Sequence, residues 1–149
     1  MNVLFVCTGN TCRSALAEVI ARAEAARRGI PNFTVSSAGT NAWDGSPASD
    51  SALLVGMERG LDLGAHKSRR LTRDIVAAAD LVLVMAPNHV ETVRQLGGSG
   101  KVHLLDEYVS NGASSNGIED PFGGDLDSYR GTYDRLQTAI SAMFDRLAH

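Results

Sequence analysis

The run Cys7-Thr8-Gly9-Asn10-Thr11-Cys12-Arg13-Ser14 gathers a thiol, a guanidinium and several hydroxyls into one short loop. An apolar stretch, Asn2 to Val6, precedes it and a segment of helical spacing follows. A loop between a strand and a helix offers successive backbone N–H groups and a helix N-terminus, which together make a concave anion site. Gly9 and Asn10 are the residues best able to take positive φ and close the turn. Arg13 adds a planar two-pronged donor matched to phosphate oxygens. Facing those donors, Cys7 is favoured as thiolate, the nucleophilic form, and Ser14 is placed to donate a hydrogen bond to its sulfur. A lone cysteine more often packs as a small hydrophobe, but the spacing to Arg13 and Ser14 at a strand-to-helix junction points to attack on a phosphate. Thr8, Gly9, Asn10, Thr11, Cys12 and Ser14 are the expected phosphate-binding loop. Cys12 fits two roles, a reversible disulfide with Cys7 that guards the nucleophile or a packing residue.

Opening a phosphate ester or phosphoramidate leaves a basic oxygen or nitrogen, and a positioned proton donor is worth about 10²–10⁴-fold. Asp120 is the candidate, within Glu119-Asp120-Pro121-Phe122-Gly123-Gly124, where carboxylates adjoin an aromatic residue. Pro121 biases Asp120 toward extended backbone, which presents its side chain. Asp-Pro alone is a common turn dipeptide, and its pairing with the cysteine loop is what selects it. His66, His89, His103 and His149 lack ligand spacing, so no metal is expected. Arg27-Arg28 and Arg69-Arg70 read as solvated charge, and Tyr129 and Tyr133 as packing residues on a helix.

The elements that must position these groups alternate. Asn2 to Val6 reads as a strand and Ser14 to Arg28 as a helix stopped by Gly29. Phe33 to Ser37 reads as a strand, and Ser46-Pro47 as the cap and first residue of a helix running toward Gly60. Thr72 caps a short segment, Asp80 to Met85 is a strand buried on both faces, and Pro87 to Leu96 is helical until Gly97. Lys101 to Leu105 is a last strand, Ser110 to Asp125 a loop, and a terminal helix starts at Ser128. Strands alternating with helices predict a parallel sheet covered on both faces. Ligands of such sheets sit beyond the carboxyl ends of the strands, where residues 7 to 13 fall.

With 149 residues, 44% of them hydrophobic, the chain is expected to build one domain over 1–149. A net charge of −3 argues against a nucleic-acid partner. The N-terminal residues show neither a signal peptide nor a membrane span, and two cysteines make no disulfide framework, so a cytoplasmic, reducing setting is expected.

Cys7 to Ser14, Ser37-Ala38-Gly39-Thr40 and Asp120-Pro121-Phe122 resemble the low-molecular-weight protein tyrosine phosphatase family along essentially the whole chain. The resemblance implies an α/β three-layer sandwich, with a four-stranded parallel sheet and helices on both faces. It implies a phosphocysteine intermediate without metal or cofactor, phosphorylated proteins as partners and a monomeric state. It further implies that Asn10, Ser37 and His66 form a network holding the loop. Within the family the chain is most similar to the bacterial protein arginine phosphatases, which carry Thr where tyrosine enzymes usually have Ile, as Thr11 does here, and the Asp120-to-Gly124 sequence. A guanidinium bears several N–H donors, so Thr11 leaves room and an acceptor, Asp120 can accept from it, and Phe122 can stack on its face.

Ala15 departs from the proline usual after the motif and removes no catalytic group. Trp43 keeps phosphotyrosine open as a substrate if its ring walls the site, and otherwise reads as a cover for the core. Arsenate reduction shares this loop but needs further cysteines for its disulfide relay, and only Cys12 is present. A phosphocarrier would have no use for an acid at Asp120.

Overall fold

The computed structural model describes residues 1–112 and 116–148, so His149 and part of the stretch read as loop before the last helix lie outside the described residues. Its strands are β1 (Asn2–Cys7), β2 (Thr34–Gly39), β3 (Leu81–Val84) and β4 (Val102–Leu104). They form a parallel sheet in the order β2-β1-β3-β4. The helices are α1 (Arg13–Arg28), α2 (Asp50–Glu58), α3 (Arg73–Ala78), α4 (Pro87–Val93), α5 (Leu105–Ser110) and α6 (Leu126–Leu147).

Both faces of β1 are buried because successive side chains point to opposite sides. Val3 and Phe5 enter one core with Leu16 and Ile20 of α1 and Leu136, Ile140 and Phe144 of α6. Leu4 and Val6 enter a second core with Val76 of α3 and Val93 of α4. Each large apolar side chain so buried contributes about 1.5–3 kcal/mol before entropy is counted. The result is the expected three-layer α/β sandwich. Tyr129 and Tyr133 are buried, as expected of packing residues.

Element boundaries follow local capping. Gly29 ends α1 in the left-handed region at φ 66°, and Thr72 Oγ1 accepts from Ile75 N–H at 3.2 Å to open α3. The expected helix start at Ser46-Pro47 is wrong: Ser49 caps α2 by accepting from Ala52 N–H at 3.2 Å. Ser46 instead donates its N–H to Ser68 Oγ at 3.0 Å and accepts from Ser68 N–H at 2.7 Å, a pairing that draws it out of helical geometry. α6 begins before Ser128 because Asp125 accepts from Ser128 N–H at 2.9 Å and is its cap. Leu105, read as the end of a strand, is the first residue of α5. After α4 the helical path widens into a π-helical turn, Arg94–Gly98, that Gly97 breaks at φ 95°.

Arg28 is not merely solvated charge. It binds buried Glu24 at 2.9 Å and Asp145 at 2.9 Å, and its guanidinium lies 5.6 Å from the centre of the Phe144 ring, so it ties α1 to α6. Arg27 also pairs with Glu24. No described helix is long and apolar enough to cross a membrane.

Candidate functional site

β1 sits where the sheet order reverses, since the chain runs from β1 out to β2 and returns on the other side of β1 as β3. Crevices beyond such strand ends are the natural ligand sites of open α/β sheets. The loop after β1 occupies this one. Its carbonyls are engaged outside the loop: Cys7 O accepts from Thr40 N–H at 2.9 Å, Thr8 O from Asn41 N–H at 3.0 Å and Thr11 O from Ser49 N–H at 3.0 Å. The end of β2 must approach closely to do this, and only glycine permits it. A Cβ on Gly39 would lie 2.4 Å from Thr8 O and 2.8 Å from Ala42 Cβ, a physical reason for the Ser37-Ala38-Gly39-Thr40 sequence.

Of Gly9 and Asn10, only Asn10 takes positive φ, at 58°. Buried Asn10 spends every polar atom of its side chain. Its Oδ1 accepts from Arg69 N–H at 2.9 Å, while Nδ2 donates to Ser37 Oγ at 2.9 Å and Ser14 Oγ at 2.8 Å. His66 Nε2 donates to Asn10 O at 2.6 Å, so the network of Asn10, Ser37 and His66 is assembled. Arg69, expected to be solvated, also donates through Nε to Ser37 O at 2.8 Å.

Glu18 gives the network its direction. A carboxylate only accepts, so Ser37 donates to Glu18 Oε1 at 2.7 Å and must accept from Asn10. Ser14 Oγ likewise accepts from Asn10, which leaves its one hydrogen for Cys7 Sγ at 2.8 Å. The sulfur therefore receives a hydrogen bond, the arrangement that stabilises a thiolate.

Arg13 is buried, donates to Ile118 O at 3.0 Å and stands 3.7 Å from Asp120 Oδ2. Ile118 N–H in turn donates to Met85 O at 2.7 Å at the end of β3, so sheet, arginine and acid loop are joined. Asp120 is half-exposed, and its Oδ1 accepts from Phe122 N–H at 3.0 Å. Cys7, Thr8, Gly9, Thr11, Cys12, Arg13, Asp120 and Phe122 line a cleft of about 230 Å³. This brings together Cys7, the expected nucleophile, Arg13, and Asp120, the expected acid, from opposite ends of the chain.

A family model described as low molecular weight phosphotyrosine protein phosphatase matches residues 2–149. The chain belongs to this phosphatase family. It is similar to a protein-arginine-phosphatase of Bacillus subtilis, 38% identical over 99% of this chain and 97% of that protein. It is also similar to a low molecular weight protein-tyrosine-phosphatase, PtpB, of Staphylococcus haemolyticus, 37% identical over 96% of this chain and 97% of that protein. Among solved structures, a variant of YwlE arginine phosphatase with a phosphorylated active-site serine in place of cysteine superposes with a TM-score of 0.94. The two are 37% identical over 99% of this chain and 96% of the other.

As a member of this phosphatase family, the chain departs from expectation at Trp43, whose side chain is 84% exposed. It is no cover for the core, and the residues lining the cleft do not include it. Cys12 is a free thiol whose sulfur donates to Ser49 Oγ at 3.4 Å and lies 3.5 Å from the Tyr129 hydroxyl. Two residues that sequence reasoning passes over support the loop from behind the cleft, Glu18 through Ser37 and His89 through Thr8. Glu18 is one helical turn beyond Ser14, a spacing that could have revealed it. His89, one of four histidines without ligand spacing, is buried and bonds Thr8 Oγ1 at 3.0 Å through Nε2. Only the adjacency of β1 and β3 brings it there.

Proposed function

We propose that this chain is a protein arginine phosphatase that carries the phosphoryl group on Cys7. The observation that carries the reading is the cleft itself, whose lining combines Cys7 and Arg13 with the polar Thr11, the carboxylate Asp120 and the aromatic Phe122. The Cys7 thiolate attacks phosphorus, the bond from phosphorus to the guanidino nitrogen breaks, and Asp120 gives that nitrogen its proton. Arg13 and the loop N–H groups hold the phosphoryl oxygens as charge redistributes. Water then attacks phosphocysteine, Asp120 takes its proton, and the sulfur leaves as thiolate into the hydrogen bond from Ser14. The products are free arginine side chain and inorganic phosphate, and the step needs no metal or cofactor. Thr8, Gly9, Asn10, Thr11, Cys12 and Ser14 form the phosphate loop, braced by Asn10, Ser37 and His66.

The relatives with arginine phosphatase activity in their names, and the phosphorylated serine in one solved relative, support both the substrate and the covalent route. A second reading, phosphotyrosine hydrolysis, is favoured by Phe122, 78% exposed at the cleft, which can flank a phenyl ring as well as a guanidinium. The deciding measurement is kcat/KM on phosphoarginine and phosphotyrosine side by side, for the native chain and Cys7→Ser. A Cys7-dependent preference for phosphoarginine is expected. A preference for phosphotyrosine would keep the mechanism and overturn the substrate, and substantial turnover by Cys7→Ser would remove Cys7 as nucleophile.

A further inference from the structure

His89 occupies the third position of α4, 1% exposed, with both ring nitrogens engaged. Nδ1 accepts from Ala86 N–H at 3.1 Å. A backbone N–H can only donate, so Nδ1 carries the lone pair and Nε2 the hydrogen. Nε2–H therefore donates to Thr8 Oγ1 at 3.0 Å. A hydroxyl has one hydrogen and two lone pairs; with one lone pair taken on the buried side, the Thr8 hydrogen is free. Thr8 lines the cleft together with Cys7, Arg13 and Asp120, and its own carbonyl is fixed by Asn41 N–H at 3.0 Å.

We propose that His89 is a positioning residue that turns the Thr8 hydroxyl into an additional hydrogen-bond donor for the phosphoryl group in the cleft. The inference rests on the cleft being a phosphate site. The rigid plane of the ring links the start of α4, at the end of β3, to the loop after β1, so the hydroxyl's orientation is set before substrate arrives. Burial, and next the nearby Arg13 cation, hold the ring neutral with a pKa lowered to about 4, against the opposing pull of Asp120. One tautomer thus persists across the working pH range, and the hydroxyl cannot be recruited as a donor to the ring.

The two ends of the ring can be separated by substitution. Asn places a polar atom near the Nδ1 position and keeps the contact with Ala86, whereas Gln reaches the Nε2 position and keeps the donor to Thr8. The experiment measures inorganic phosphate affinity by calorimetry for the native chain, Thr8→Val, His89→Asn, His89→Gln and the Thr8→Val/His89→Asn pair, with thermal midpoints recorded for each. A hydrogen bond to a charged group is worth enough that Thr8→Val and His89→Asn are each expected to weaken phosphate about tenfold or more. The double variant is expected to bind no worse than Thr8→Val alone, and His89→Gln to recover most of the loss. Additive losses, or full affinity in His89→Asn with loss in His89→Gln, would overturn the proposal and leave the ring as a helix brace. Inorganic phosphate requires no turnover, so failure to hydrolyse phosphoarginine would sink the proposed function without deciding this test.

Discussion

Thr11 is the side chain on which the proposed choice of substrate turns. Thr11 lines the same cleft as Cys7, and a guanidino group brings N–H donors that lose water on entry and need acceptors. Thr11→Ile removes one such acceptor and adds bulk. The ratio of kcat/KM for phosphoarginine over phosphotyrosine is expected to fall about tenfold or more, and an unchanged ratio would refute the selectivity argument. The gathering of the expected chemical groups was legible because their types are rare and their spacing tight: Cys7, Arg13 and Ser14 share one loop, Asp120 is marked by its proline, and the cleft holds Cys7, Arg13 and Asp120 together. Glu18 and His89 were not, because a glutamate on a helix and a solitary histidine look like solvent-facing residues until their partners are known.

At the scale of elements, the approach of β2 to the phosphate loop depends on the absence of a side chain at Gly39. Gly39→Ala sets its methyl 2.4 Å from Thr8 O, which is backbone and cannot swing aside. The strand end must shift, taking Thr40 and Asn41 N–H from the loop carbonyls. A destabilisation of about 1–3 kcal/mol is expected in urea unfolding, with a larger fractional loss of kcat/KM than a stability change alone would give. Strands and helices were legible from periodicity, but several ends were not. Ser46 and Ser49 are equally good caps in isolation, and the pairing of Ser46 with Ser68, 22 positions away, decides between them.

At the scale of the whole molecule, stability responds to pH through His89. The unfolded ring titrates near 6.5, whereas in the fold burial, then Arg13, lower its pKa to about 4, with Asp120 opposing. Its contribution is therefore full above pH 6.5 and is lost as pH falls toward 4, because the unfolded state takes up the proton first. The loss is about 3 kcal/mol. Urea midpoints between pH 7 and pH 4 are expected to fall less steeply in His89→Asn than in the native chain, and equal slopes would contradict this.

The bond from Arg13 to the backbone of Ile118 has a mechanical meaning. The guanidinium proposed to hold the phosphate is also bonded to the segment leading to Asp120, the proposed proton donor, so one group fixes the spacing of both. Because Ile118 is also bonded to Met85 at the end of β3, the guanidinium, the sheet and the segment leading to Asp120 share one mount, and parting Arg13 from that segment requires breaking a specific hydrogen bond.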